Sequence, residues 1–504
     1  MAQWPKNPVI YEINTWVWLY ELSKRYRQSI TLGNVPTQEW DAIKKMGVDV
    51  VWFMGVWERS PEGKRISSAN EMLQQDFLNA LPDYEDDDNL GSAYCVKRYE
   101  VDERLGGRGG LAVARRALLA RRILLLLDFV PNHVARDHPW VIEHPEYFIH
   151  GTVQDLLTSS GAYFESRGEV IACGKDPNFP AWQDVAQLNA FHPGYREAVL
   201  STLEDIAHQC DGVRCDMAML MLDSIFSQNW GVSASAPLEQ GFWNQVVSMT
   251  QLTHPDFHFI AEAYWGTQPE LSQAGFAFCY DKDLYDLLVF AKTPTIERHL
   301  GVGVEKQETM LRFIENHDEQ RAASLFNTPK AIAAAIALST FPGAKLFHLG
   351  QFEGRKVKLP VFLRRWMDEP EVVEWKNIYN LLVRLASSPL LKLGEWKLCP
   401  HTGWEDNKSH EQLLCWSWHR PNETLLVIIN YADQASQGRV ILPWKDLDGE
   451  SWRLIDLIRG EAFIRPTAEL LTNGLFVDLR GWGFHLLWFA RKMDIQSDSS
   501  KLVE

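Results

Sequence analysis

The chain has 504 residues, of which 46% are hydrophobic and 23% charged, with a formal net charge of −16. That length exceeds one compact core and predicts a large domain accompanied by one or two smaller ones. The acidic balance excludes nucleic acid or an anionic membrane as the main partner, because both select clustered Lys and Arg.

No apolar run reaches the roughly 18 residues that a membrane-spanning helix needs. The N-terminal "MAQWPKNPVIYEI" lacks the basic start and apolar core of a secretory leader. Seven irregularly spaced cysteines read as reduced thiols. A cytoplasmic globular protein is expected, and the oligomeric state stays open.

In chain order, "VIYEI" (9–13), "VDVVWFM" (48–54), "ILLLLDF" (123–129), "GVRC" (212–215), "FHFIAE" (257–262), "FAFCY" (276–280), "RFIEN" (312–316) and "AKLFHL" (344–349) read as strands. Helical patterns, such as those at 37–47, 111–122 and 195–209, separate most of them. Near-continuous apolar strands alternating with helices imply a parallel sheet covered on both faces. Eight such units are what a closed (β/α)8 barrel requires. An open doubly wound sheet is the alternative, but its G-x-G-x-x-G turn is missing.

Two connections are longer than ordinary loops: 55–107, with the acidic run "DYEDDDN" at 83–89, and 134–185. "LGGRGG" (105–110) reads as a turn. Beyond about residue 395, "LLCWSWHR", "TLLVIINYA", "SWRLIDLI", "LFVDL" and "GFHLLWF" alternate between turn residues, the pattern of an antiparallel β-sandwich. The predicted architecture is α/β: a (β/α)8 TIM barrel over 1–133 and 186–392, a small inserted domain over 134–185 after the third strand, a C-terminal antiparallel β-sandwich over 393–492, and a flexible tail over 493–504.

Barrel chemistry sits at the C-terminal strand ends. There the chain places Asp128, Asn132 and His133 (third strand), Arg214 and Asp216 (fourth), Glu262 (fifth), and Asn316, His317 and Asp318 (seventh). Residues two apart on a strand share a face, so Arg214 is expected beside Asp216, where its charge keeps the carboxylate ionised. Glu262, flanked by Tyr264 and Trp265, is expected to be partly desolvated and protonated. One ionised and one protonated carboxyl across a shared cavity form the pair that cleaves a glycosidic bond.

With these residues in order, the chain resembles glycoside hydrolase family 13, the α-amylase family. "DFVPNH", "GVRCDMAML", "AEAY" and "FIENHD" resemble its four short regions, and the likeness extends over roughly residues 8–390. The resemblance implies Asp216 as nucleophile, Glu262 as general acid and base, and Asp318 as the group that binds sugar hydroxyls more tightly in the transition state. It further implies Arg214 as the partner of Asp216, His133 and His317 as donors to sugar hydroxyls, Asp128 as organiser of that subsite, and Tyr94 in "GSAYCVKRYE" as its floor. No cofactor is implied for the chemistry. A structural calcium ion is allowed, with Asn132 matching a position that often ligates it.

The chain departs from the family where long-chain amylases carry Lys-His, since Met219 and Leu220 stand there. Such a pair either favours a different acceptor or packs locally. Three readings follow: a retaining hydrolase of α-glucosidic bonds in oligosaccharides or glucans; a transglycosylase that passes the glycosyl unit to a sugar or other hydroxyl acceptor; and an inactive binding protein, which would usually have lost a catalytic carboxylate. An α-glucoside or α-glucan is the expected partner.

Overall fold

Alternation along the eight apolar runs decides where each side chain goes. The computed structural model describes residues 4–159, 161–290, 293–444 and 447–491; the tail expected at 493–504 lies outside them. Eight parallel strands close a barrel: β1 (Val9–Asn14), β2 (Val50–Met54), β3 (Leu124–Phe129), β4 (Gly212–Cys215), β5 (His258–Ala261), β6 (Phe278–Tyr280), β7 (Met310–Arg312) and β8 (Ala344–His348). Each strand pairs with its neighbours in sequence, and β8 closes on β1.

Ile10, Trp52, Leu124, Leu126, Ile260, Tyr280 and Leu346 fill the lumen as one buried cluster. Their odd-numbered neighbours, such as Val9, Val51, Leu125 and Phe259, join the cluster under the surrounding helices. The two-residue period of a strand produces this division. It also sets Glu12, Asp128 and Arg214 in lumen register, and Arg214 pairs directly with Asp128 across β4 and β3.

The seventh strand departs from expectation. It covers Met310–Arg312 rather than 312–316, so Asn316, His317 and Asp318 lie on the loop beyond it. The chain leaves the ladder there because Glu315 is buried against Arg321 (2.7 Å) and caps the backbone N–H of Ala322 (2.8 Å).

Between β3 and β4 the chain forms a four-stranded sheet from His133–Ala135, Trp182–Gln187, Glu169–Gly174 and Tyr163–Ser166. "LGGRGG" is not simply a turn: Gly106 takes a positive φ of 105°, and a helix starts at Gly107 and runs to Leu119. The acidic run 83–89 forms a clamp. Buried Asp88 accepts from Arg365 (2.7 and 2.8 Å) and Arg364 (3.2 Å). This pins the segment around Leu359 and Leu363 against Phe77 and Leu81.

At the C-terminus, a six-stranded and a three-stranded antiparallel sheet share an apolar cluster that includes Leu413, Leu426, Ile428, Val440, Leu475 and Val477. Three of their strands, Glu395–Leu398, His401–Thr402 and Ala462–Pro466, fall outside the expected runs, being short or partly exposed and only weakly alternating.

Candidate active site

The site is built around one guanidinium. Arg214 is 1% exposed, and burying a cation is costly unless charges and rings surround it. Its Nη1 lies 2.8 Å from Asp216 Oδ1 and 3.7 Å from Asp128 Oδ1. Its Nη2 lies 2.7 Å from Glu262 Oε2 and 3.9 Å from Asp318 Oδ2. Trp52, Tyr94 and Tyr280 present rings to it with centroids 5.4, 5.1 and 5.7 Å away. Thus the four carboxylates expected at the barrel mouth are brought together by the residue expected to serve only one of them.

Local backbone completes the arrangement. Asp216 is the first residue past β4, and Met217 turns the chain at φ 44°, an uncommon value for a residue with a side chain. The turn aims the Met217 N–H at Glu262 Oε2 (2.6 Å). Tyr264 donates its hydroxyl to Glu262 Oε1 at 2.7 Å. Glu262 therefore accepts three hydrogen bonds: from Arg214, Met217 and Tyr264.

This geometry corrects the expected ionisation of Asp216. Asp216 was expected to be ionised by Arg214, but burial and the neighbouring Glu262 charge outweigh the arginine and push it up to about 8. Glu262 is surrounded by donors from Arg214, Met217 and Tyr264. Trp265 does not cover it, being 46% exposed at φ 58°. The physical reason is that one buried cation is shared by both carboxylates, so it does not offset burial and the neighbouring charge at Asp216.

Around the pair lies a second charged group, in which one histidine bridges two carboxylates. His317 Nδ1 is 2.5 Å from Glu12 Oε1, and its Nε2 is 2.9 Å from Asp318 Oδ2 and 2.7 Å from Tyr94 Oη. Burial opposes its charge, but Asp318 and Glu12 together raise it to about 10. Asp318 is correspondingly lowered, burial being overcome by His317. Both nitrogens of His317 are engaged, so it meets sugar hydroxyls only through Tyr94 and Asp318. Glu12 escaped the sequence reading, although a lone acid in lumen register within "VIYEI" was a usable signal. Asp128 is raised to about 6, chiefly by burial, with Arg214 opposing.

These residues open on a cavity of about 1080 Å³ lined by Tyr94, His133, Asp216, Glu262, Tyr264 and Asp318. Arg214, Asp128 and His317 are not among its lining side chains and support it from within the barrel. Burial lowers His133 to about 4, so it faces the cavity as a neutral imidazole. Met72, Phe179 and Trp265 line the mouth and are 76%, 70% and 46% exposed. Met219 and Leu220 do not reach the cavity: both are buried in the short 3-10 turn Ala218–Met221, so local packing accounts for them.

The residues around Asn132 do not fit a calcium ion. Asn132 is buried, its Oδ1 accepts from Gln187 Nε2 (2.9 Å), and its Nδ2 donates to Gln187 Oε1 (3.2 Å). A hard cation asks for several free oxygen ligands, and this amide is already satisfied.

No family model matches the chain. Among curated proteins it is 25% identical over 363 residues to the α-amylase MalA of Haloarcula japonica, an alignment covering 70% of this chain and 45% of that protein. It is 23% identical over 278 residues to α-amylase 3 of Dictyoglomus thermophilum, covering 49% and 52%. The chain thus spans about half the length of the curated relatives it matches. Among solved structures, a noncanonic maltogenic α-amylase, AmyB of Thermotoga neapolitana, superposes with a TM-score of 0.69 at 19% identity, covering 96% of this chain and 99% of that one. A debranching enzyme of Nostoc punctiforme gives 0.65 at 18%, covering 97% and 100%. With its closed barrel and its four strand-end segments in order, the chain has the fold of these solved α-amylases and is similar in sequence to curated α-amylases.

Proposed function

We propose that the protein is a retaining glycosidase acting on α-glucosidic bonds of oligosaccharides or glucans. One observation carries this reading: Asp216 and Glu262 sit on the two nitrogens of one buried guanidinium and face one cavity. Two carboxyls that share a counter-charge at the rim of one cavity meet the need of a double displacement for one nucleophile and one acid. The names of the relatives, α-amylases and a debranching enzyme, support an α-glucan substrate.

In this mechanism Asp216 attacks the anomeric carbon while Glu262 protonates the leaving oxygen and later activates water. The proton must lie on Glu262 when the bond breaks. A glycosidic oxygen set against Glu262 is an acceptor and favours the protonated acid. Positive charge developing at the anomeric carbon favours an ionised Asp216. Substrate therefore drives the proton in the direction the chemistry requires. Asp318, ionised by His317, binds hydroxyls of the same sugar, neutral His133 donates to another, and Tyr94 forms the floor. No step is routed through a metal.

Transfer to a sugar acceptor is the second reading, favoured by the exposed apolar mouth of Met72, Phe179 and Trp265, which suits a second sugar face better than bulk water. An inactive binding protein is disfavoured, because all three carboxylates face the cavity. Incubation with maltooligosaccharides, sucrose and trehalose, with products separated by chromatography, tests the reading. Shortened products are expected for hydrolysis and lengthened or newly capped ones for transfer. No turnover of any α-glucoside would overturn both.

A further inference from the structure

Away from the cavity, two helices end side by side. Helix α1 (Pro193–Ala207) leads into β4, and helix α2 (Phe242–Thr253) leads into β5. Their C-caps are His208 and His254, and between them projects Glu204, four residues before His208 on the same helical face. We propose that Glu204, His208 and His254 form a binding site for one divalent transition-metal ion of the class that prefers imidazole ligands, represented by Zn2+.

The spacing fits such an ion. His208 Nε2 lies 3.3 Å from Glu204 Oε1, and His254 Nε2 lies 3.0 Å from Glu204 Oε2. Ligands at about 2.0–2.1 Å from tetrahedral zinc are separated by about 3.3 Å. One ligand atom from each residue falls within 4.8 Å of the others, the sole such three-residue His/Cys/Asp/Glu grouping among the described residues. The imidazole rings stand 84° apart with centroids at 5.3 Å, so they converge edge-on instead of stacking.

Three further features point to a cation. His254 Nε2 is shielded from solvent and lies 3.0 Å from Glu204 Oε2, so the ring nitrogen faces the cluster. Both helices present their negative C-terminal ends here, and neither has Lys or Arg in its last turn. Thr253 Oγ1 donates to Glu204 Oε2 at 3.2 Å, the kind of supporting bond that orients a carboxylate ligand. The imidazole donors select a transition metal over calcium, which takes oxygen ligands. Glu204 and His208 are exposed, leaving room for water in the remaining positions.

None of the three residues lines the catalytic cavity, so this site stands or falls independently of the glycosidase reading. Its effect would be to staple the ends of the two helices that feed the strands bearing Arg214 and Glu262.

The test uses the full chain, stripped with chelator, titrated with Zn2+ by calorimetry near neutral pH, and loaded separately with Co2+ for visible spectroscopy. One equivalent of Zn2+ should bind in the micromolar range, Ca2+ should not compete, and thermal unfolding should move to higher temperature on addition of Zn2+. In H208Q/H254Q, which should unfold at the wild-type temperature when chelator is present, affinity should drop at least about tenfold, with loss of the Co2+ d–d bands and the thermal shift. No saturable binding at submillimolar Zn2+, or binding unchanged in the double variant, would overturn the proposal.

Discussion

Two buried charge clusters in this molecule look alike in sequence and differ in balance. At the Asp88 clamp, one buried carboxylate meets two arginines, Arg364 and Arg365. At the barrel mouth, Asp128, Asp216, Glu262, Asp318 and Glu12 meet two cations, Arg214 and His317. With Asp83 also paired to Arg365 at 3.0 Å, the first has one cation for each carboxylate. The second has too few cations, so Asp216 and Asp128 are pushed above the usual carboxylate range, and it faces a cavity. Charge deficit beside an opening, rather than charge alone, marks the reactive region.

The largest effect should come from breaking the deficient cluster at its nucleophile. Asp216→Asn keeps the shape and the contact with Arg214 but removes the attacking oxygen. Steady-state rates on an α-glucan should fall at least about 10⁴-fold, with the thermal unfolding temperature nearly unchanged. Rates within tenfold of wild type would remove Asp216 from its role.

Next, Arg214→Met strands several buried carboxylates without their cation. Loss of one partner in a buried ion pair costs about 3–5 kcal/mol, so urea unfolding should show a loss of that order together with loss of turnover. A variant that is active and fully stable would contradict the shared-cation account.

Sharpening the comparison from the other side, Arg365→Ala in the clamp removes charge-assisted bonds to Asp88, worth about 1.5–3 kcal/mol. Stability should fall, while kcat per folded molecule should change far less than in the mouth variants. A collapse of kcat equal to that of Asp216→Asn would erase the distinction between the two clusters.

The smallest effect is on pH dependence. His317 titrates near 6.5 when unfolded and at about 10 when folded, so the folded state retains a proton that the unfolded state has lost. Its contribution is present below about pH 6.5 and fades as pH rises toward 10. Urea midpoints should decline across that window, and the decline should be shallower in His317→Asn. Equal slopes in both proteins would place the charge elsewhere.

How much of this was legible beforehand differs by residue. The barrel was readable because apolar runs of strand length alternate with helices, and strand parity set Arg214 beside Asp216 on one face. Asp216, Glu262 and Asp318 were readable because they follow those runs. The sharing of Arg214 by both carboxylates was not, because it depends on Met217 adopting a left-handed turn and on Tyr264 folding back to Glu262, contacts that no periodicity encodes. The role of "DYEDDDN" was equally hidden, since its arginine partners lie 276 and 277 residues away from Asp88. Met219 and Leu220, a conspicuous departure by comparison with the family, pack locally and are not among the residues that line the cavity.

The most direct test of the central claim is to trap the enzyme with a fluorinated glycosyl donor that slows the second step, then digest it and locate the adduct by mass spectrometry. The account predicts a single sugar attached to the peptide containing Asp216, and its disappearance in Asp216→Asn. An adduct on another carboxylate, or turnover that inverts the anomeric centre with no adduct at all, would contradict it.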